Sequence, residues 1–206
     1  MYRLQELRLL PTASTTINSK VVQAFFERVA TDRDTMRLAY YGERVIEKMA
    51  AVSGVEEGMT VADVGTGTGF VAAGIAPRVK RVIGIDSVPA MLEVARKNLR
   101  ALGVSNVDLV VGDAARLPLE DGSVDAAFAN MVLHHAEDPA AMLREMVRVT
   151  RPGGTVAIVD EVEHSYEWMR SEHADLWLGF GEGQVERLFS AAGLLEGYCY
   201  ESLGMQ

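Results

Sequence analysis

From residue 59 onward the chain alternates short, nearly continuous apolar runs with segments of helical periodicity. That alternation leaves few folds open. Strands without polar interruptions are buried on both faces, and helices between them make each crossover parallel. The strand candidates are TVADV (60–64), RVIGID (81–86), VDLVV (107–111), a segment within SVDAAFAN (123–130) and TVAIVDEV (155–162). Helices are expected around 69–77, from Pro89 to Gly103 with Leu92, Ala95 and Leu99 inward, and from Asp138-Pro139 to the Arg151-Pro152-Gly153-Gly154 break with Met142, Leu143, Met146 and Val147 inward. Ser87 is placed to cap the Pro89 helix. A helix around 182–192 and a strand at 194–201 complete the pattern. The expected fold is α/β, a doubly wound, mostly parallel sheet with helices on both faces.

The first third reads differently. Residues 1–16 are a loosely held arm. Over 17–51 apolar residues recur at helical spacing, as in Val21, Val22, Phe25, Phe26 and Val29. The expected division is an N-terminal arm and helical cap over 1–55 and a ligand-binding domain over 56–206.

Composition removes several function classes. A net charge of −9 argues against a nucleic-acid backbone as the main partner, since phosphate binding needs clustered Lys and Arg. One cysteine, Cys199, allows neither an internal disulfide nor a multi-cysteine metal site. No apolar run approaches membrane-spanning length, so no membrane partner is expected. The opening MYRLQELRLLPTAST has no apolar core of a signal peptide, and a cytoplasmic enzyme or binding domain is the expectation.

Parallel sheets bind ligands at the carboxyl ends of their strands. There the sequence reads VADVGTGTGF (61–70), a glycine turn with Asp63 just before it. Glycines 65, 67 and 69 let a backbone come close to a ligand. Asp86, ending the next strand about 20 residues on, suits a ribose diol. The pattern so far fits a dinucleotide or another adenosine-containing ligand. Three details separate them. Phe70 stands where a dinucleotide fingerprint has its third glycine, Asp63 would repel a pyrophosphate, and Asp113 adds another acid after the third strand. S-adenosyl-L-methionine has no phosphate and carries a sulfonium and an ammonium, so an acidic pocket attracts it.

The runs VADVGTGTG, GIDSV, GDAARLPLEDGSVD, NMVLHHAEDP and VTRPGGTVAIVDE resemble the successive motifs of class I S-adenosylmethionine-dependent methyltransferases, over about residues 40–200. The chain is most similar to the small-molecule branch typified by quinone-biosynthesis C-methyltransferases. It also resembles methyltransferase domains fused to winged-helix repressors, although no winged helix is present. Arsenite methyltransferases are more distant, and their cysteine-based chemistry does not fit a chain with Cys199 alone. The resemblance implies a Rossmann-like sheet under a helical cap, and methyl transfer to a small-molecule acceptor. It places Asp63, Gly65, Thr66, Gly67, Asp86, Ser87, Asp113, Ala114 and Asn130 around the cofactor, with Tyr41 (or Tyr40) reaching its methionine end. The family's sheet ends with a sixth strand and an antiparallel seventh. LEGYCYES suits the sixth, but Gln206 follows too soon for an ordinary seventh. A truncated chain, or an edge completed by a partner in a homodimer, is therefore expected.

Three histidines, His134, His135 and His164, are candidate bases for the acceptor. Glu161 and Trp177 are candidate acceptor contacts, with Trp168 and Phe180 beside Trp177 as pocket walls. Asp160, Glu161 and His164 stand together as a metal set would, but strand-end acids are common in so acidic a chain and no metal is expected. Two other functions fit the same turn: a module that binds S-adenosylmethionine without turnover, and a nicotinamide-dependent oxidoreductase.

Overall fold

The computed structural model describes residues 18–38 and 41–194. The expected arm, Tyr40, Cys199 and, but for Leu194, the last expected strand lie outside them. Five strands, β1 (Thr60–Val64), β2 (Arg81–Asp86), β3 (Val107–Val111), β4 (Val124–Asn130) and β5 (Thr150–Val159), form one sheet in the order β3-β2-β1-β4-β5. Every pairing is parallel. The chain winds outward from β1 through β2 to β3, then crosses back to lay β4 on the other side of β1. A crevice opens at that reversal, over the carboxyl ends of β1 and β4.

The helices are α1 (Ser19–Val29), α2 (Arg33–Arg37), α3 (Arg44–Ser53), α4 (Phe70–Ile75), α5 (Pro89–Ala101), α6 (Pro139–Val149), α7 (Trp168–Glu172) and α8 (Glu182–Ala191). Side chains alternate across the pleat, so each central strand feeds two cores. Val61, Val82, Ala126 and Phe128 meet Val45, Ile46 and Met49 of α3 and Val71, Ala72 and Ile75 of α4. Ala62, Val64, Ile83, Ile85, Ala127 and Ala129 meet Met142, Leu143 and Met146 of α6, with Val185 and Leu188 of α8. Phe128 and Leu143 are fully buried, and each such side chain stabilises the fold by about 1.5–3 kcal/mol.

Local sequence sets the helix starts. At α6, Asp138 Oδ1 accepts the Ala141 N–H at 2.9 Å and Pro139 occupies the first turn. At α5 the expected Ser87 cap is absent. Ser87 is exposed, Val88 is the capping residue, and Asp86 Oδ1 accepts the Val88 N–H at 2.9 Å. The upstream carboxylate takes the donor next to Ser87, and the helix begins without a side-chain cap. β5 starts at Thr150 and not at 155; a register shift opposite Val124/Ala126 absorbs the Pro-Gly-Gly run, and Arg151 Nε donates to Asp125 at 2.6 Å.

The first two helices lie over the crevice. Asp34 of α2 accepts from Thr68 Oγ1 at 2.6 Å and from Asn98 Nδ2 at 2.9 Å, tying that helix to the glycine turn and to α5. Helix α3, by contrast, shares the core of the sheet. No helix among the described residues is long and apolar enough to cross a membrane.

Candidate functional site

The turn after β1 gives the crevice its floor. Gly65 and Gly67 have φ of +69° and +54°, a left-handed backbone that L side chains rarely adopt. A Cβ on Gly65 would run into Val132, whereas at Gly67 the nearest atom to a Cβ is a backbone oxygen 4.0 Å away. The first glycine lets two loops touch, and the second leaves room above the turn. Asp63 holds the turn from below. It is 2 % exposed, and its Oδ2 accepts from Thr66 Oγ1 at 2.6 Å and from the Ala72 N–H at 3.0 Å. Burial pushes its carboxyl up to about 6 against those two bonds. Asp86 holds the turn from the side, its Oδ2 accepting the Gly67 N–H at 2.8 Å. Burial raises its carboxyl as well.

These groups border a cavity of about 320 Å³. Asp63, Gly65, Thr66, Gly67, Asp86, Ser87, Asp113, Ala114, Asn130 and Tyr41 all line it, so the structure brings together every residue expected at the cofactor. Asp113 is exposed and its Oδ1 accepts the Ala115 N–H at 2.9 Å, which leaves it at the rim. Burial pushes the Tyr41 hydroxyl up, with Arg33 and Arg37 pulling the other way.

Those two arginines, and Asp34 between them, were not legible in the sequence. A five-residue helix has no periodicity to mark which residues face inward. Arg37 lies 3.8 Å above the Phe70 ring, and its Nε is buried with no hydrogen-bond partner. Asn130 Oδ1, on another residue lining the cavity, is likewise buried and unpartnered. One unmatched donor and one unmatched acceptor, with Asp63 beneath, suit a ligand end that carries both a carboxylate and an ammonium. The methionine moiety of S-adenosylmethionine has both.

A smaller recess adjoins the cavity, bordered by Phe25, Phe26, Arg33, Met36, Met131, His134, His135, Glu161, Met169, His173 and Asp175 among others. Phe26, Arg33, Tyr41, Met131 and His135 border both spaces. His135 is 9 % exposed, and the Phe26 ring meets it edge-on with centroids 4.8 Å apart. His134 lies behind it, its Nδ1 2.6 Å from Asp160 Oδ1. Burial opposes a charge on His134, but Asp160 outweighs burial and raises it to about 9. Burial and then His134 hold His135 well below the usual imidazole range. Asp175 is fully buried, and burial raises its carboxyl to about 6 despite His134. Met131 and Ala174, the two non-glycine residues with left-handed φ among those described, both flank this recess.

Other expected residues lie elsewhere. His164 pairs with Glu161 at 3.0 Å and borders neither space. Trp177 stacks on Phe180 in the core and donates Nε1–H to the Ala136 carbonyl at 2.8 Å. Trp168 is 47 % exposed. Glu161 alone of the expected acceptor contacts reaches the recess.

Comparison with known proteins agrees with this geometry. Residues 62–158 match the family model described as a methyltransferase domain. The malonyl-[acyl-carrier protein] O-methyltransferase of Serratia marcescens is 33 % identical over 71 % of this chain and 55 % of its own length. The ubiquinone/menaquinone biosynthesis C-methyltransferase UbiE of Idiomarina loihiensis is 36 % identical over 68 % of this chain and 59 % of its own. This chain thus spans little more than half the length of either relative. Among solved structures, the [4+2]-cyclase SpnF superposes with a TM-score of 0.74 over 89 % of this chain and 75 % of that one, at 23 % identity, a likeness of fold alone. Motifs and sheet order, with the match over residues 62–158, make that part of the chain a methyltransferase domain of the class I S-adenosylmethionine-dependent family.

Proposed function

We propose that this protein transfers a methyl group from S-adenosylmethionine to a small-molecule acceptor. The carrying observation is the cavity at the β1–β4 reversal, where Asp63 and Asp86 stand beside the unmatched Asn130 Oδ1 and Arg37 Nε. In this reading Asp86 holds the ribose, Asp113 and Ala114 border the adenine, and Asp63, Asn130, Tyr41 and Arg37 take the methionine end. When bound, the cofactor supplies an electrophilic methyl carbon open to in-line displacement. The chain's own part is orientation and exclusion of water. Helices α1 and α2 cover the cavity and recess, pinned through Asp34. His135 and Met131 border both spaces, so they stand where an acceptor would approach the methionine end of the cofactor. His135 and Glu161 are the acceptor-facing polar groups of this proposal.

The strand-end acids Asp63 and Asp86 suit one second reading equally, cofactor binding without methyl transfer. Methyl-labelled S-adenosylmethionine incubated with a small-molecule cell extract separates the two. Label in a low-mass product, dependent on the protein, is the expected outcome. Tight binding with no label transferred would replace the enzyme reading with the second one. A cytoplasmic setting and self-association belong to the same proposal. The first is supported by a single cysteine in 206 residues, the second by an edge strand, β3, whose Val111 is 57 % exposed. Sedimentation equilibrium giving one chain mass at micromolar concentration would remove the dimer.

A further inference from the structure

We propose that His134, His135 and Asp175 form a site for one divalent transition cation of the zinc class, at the wall of the recess. The three residues are buried, and one ligand atom from each lies within 4.8 Å of the others. Asp175 is 0 % exposed, yet neither of its carboxylate oxygens accepts a hydrogen bond. Buried carboxylates without partners are costly, and proteins pair them or use them to hold cations. The basic groups facing it are His134 Nε2 at 3.7 Å and His135 Nδ1 at 3.9 Å from Asp175 Oδ1. Both are too long for hydrogen bonds. They are close to the spacing of donors around one ion, because metal–ligand distances near 2.1 Å in a tetrahedron put donor atoms about 3.4 Å apart.

The surroundings of His134 are a second observation. Its Nδ1 faces Asp160 Oδ1 at 2.6 Å. Asp160 is itself fixed, its Oδ2 accepting the Val132 and Leu133 N–H groups at 3.1 and 2.8 Å. A carboxylate fixing one ring nitrogen aims the other, which is how metal-binding imidazoles are oriented, and a bound cation displaces the proton from that second nitrogen. The second nitrogen, Nε2, faces Asp175. The loop carrying Asp175 is held in place, since the Leu176 and Trp177 N–H groups both donate to the His134 carbonyl at 3.0 Å. Binding would cost one weak contact, His135 Nδ1 to the Ala174 carbonyl at 3.3 Å. Two imidazoles and one carboxylate suit zinc, iron or nickel better than magnesium or calcium. Three protein ligands leave a position open toward the recess, where Glu161, Arg33 and His173 also stand, for water or an oxygen donor of a small molecule. The sequence hid this set because Asp175 lies some forty residues beyond the histidine pair.

Cobalt(II) titrated into the metal-stripped, cofactor-free protein tests it, because tetrahedral cobalt absorbs visibly and zinc displaces it. One equivalent with a visible band, abolished by zinc, is expected. Asp175→Asn should lose the band while affinity for S-adenosylhomocysteine stays within threefold. Asp160→Asn should weaken cobalt binding by roughly 10–100-fold. The wild type carries the test alone if a variant fails to fold: its cobalt complex should show paramagnetically shifted proton resonances from two histidines. No band in the wild type, no shifted histidine resonances, or a band unchanged in folded Asp175→Asn would each overturn the site. Cobalt binding is read without cofactor, so a negative result leaves the methyl-transfer reading standing.

Discussion

At the scale of residues, the two strand-end acids carry the proposed cofactor site, and each also holds the glycine turn. Asp86 accepts backbone N–H groups from Gly67 and Val88, so the ribose would share a carboxylate that already shapes the turn. Asp86→Ala should therefore weaken S-adenosylhomocysteine binding at least tenfold, about 1.4 kcal/mol or more, while Glu161→Ala changes it little; equal losses in calorimetry would contradict the ribose assignment. Asp63 gives a pH dependence with a fixed sign. Its carboxyl is raised to about 6 in the folded protein, Asp86 facing it and adding to the rise caused by burial. A ligand ammonium favours the ionised form, so affinity should climb as pH rises toward 6 and level off above it. At pH 5 binding should be roughly tenfold weaker than at pH 7.5, and Asp63→Asn should flatten the profile. The same carboxyl bears on stability with the opposite slope. A folded-state value above the unfolded one means the ionised form is disfavoured by folding, so its contribution is most favourable below about pH 4 and is lost by about pH 6. Strand-end residues of this kind were legible because an apolar run announces its own end. Arg37, Asp34 and Asp175 were not, since nothing in a short helix or an aperiodic loop tells which side chain turns inward. His164 and Trp177 show the converse: their residue types suit an acceptor site, but His164 is hydrogen-bonded to Glu161 and Trp177 is stacked in the core.

At the scale of elements, the strand–turn–helix unit from β1 to α4 is the least tolerant of change. Gly65→Ala adds a Cβ against Val132 at a φ of +69°. The strained backbone alone should cost about 1–3 kcal/mol, read as a lower urea midpoint with an unchanged slope, together with loss of S-adenosylhomocysteine binding. Helix α6 offers tests of capping and packing. Asp138→Ala removes a cap whose loss typically costs about 1 kcal/mol, and Leu143→Ala, at a site 0 % exposed, should cost about 2–5 kcal/mol. The order of the elements was readable from apolar runs and helical stripes, because burial on both faces forces the strand pattern and one-sided burial the helix pattern. Their edges were less so. The start of β5 moved back to Thr150 because sheet pairing extends through the Pro-Gly-Gly run, a tertiary effect that local propensity does not contain.

At the scale of the whole molecule, the two cores, one on each face of the sheet, fix the crevice, and α1 and α2 close it. That arrangement explains how a protein of net charge −9 can hold an adenosine-containing ligand: the acids gather at the strand ends and two arginines of α2 face them from above. A cap pinned through Asp34 also predicts that Asp34→Ala loosens ligand binding without unfolding the sheet, seen as faster hydrogen exchange confined to residues of α1 and α2. The family relation, the cavity and the unmatched polar atoms converge on one ligand, and titration calorimetry tests it most directly. The purified protein is titrated with S-adenosylhomocysteine and then, separately, with NADH. Micromolar, one-to-one binding of the first and none of the second is the predicted result. Binding of NADH, or no binding of S-adenosylhomocysteine by protein shown to be folded, would contradict the assignment of the cavity.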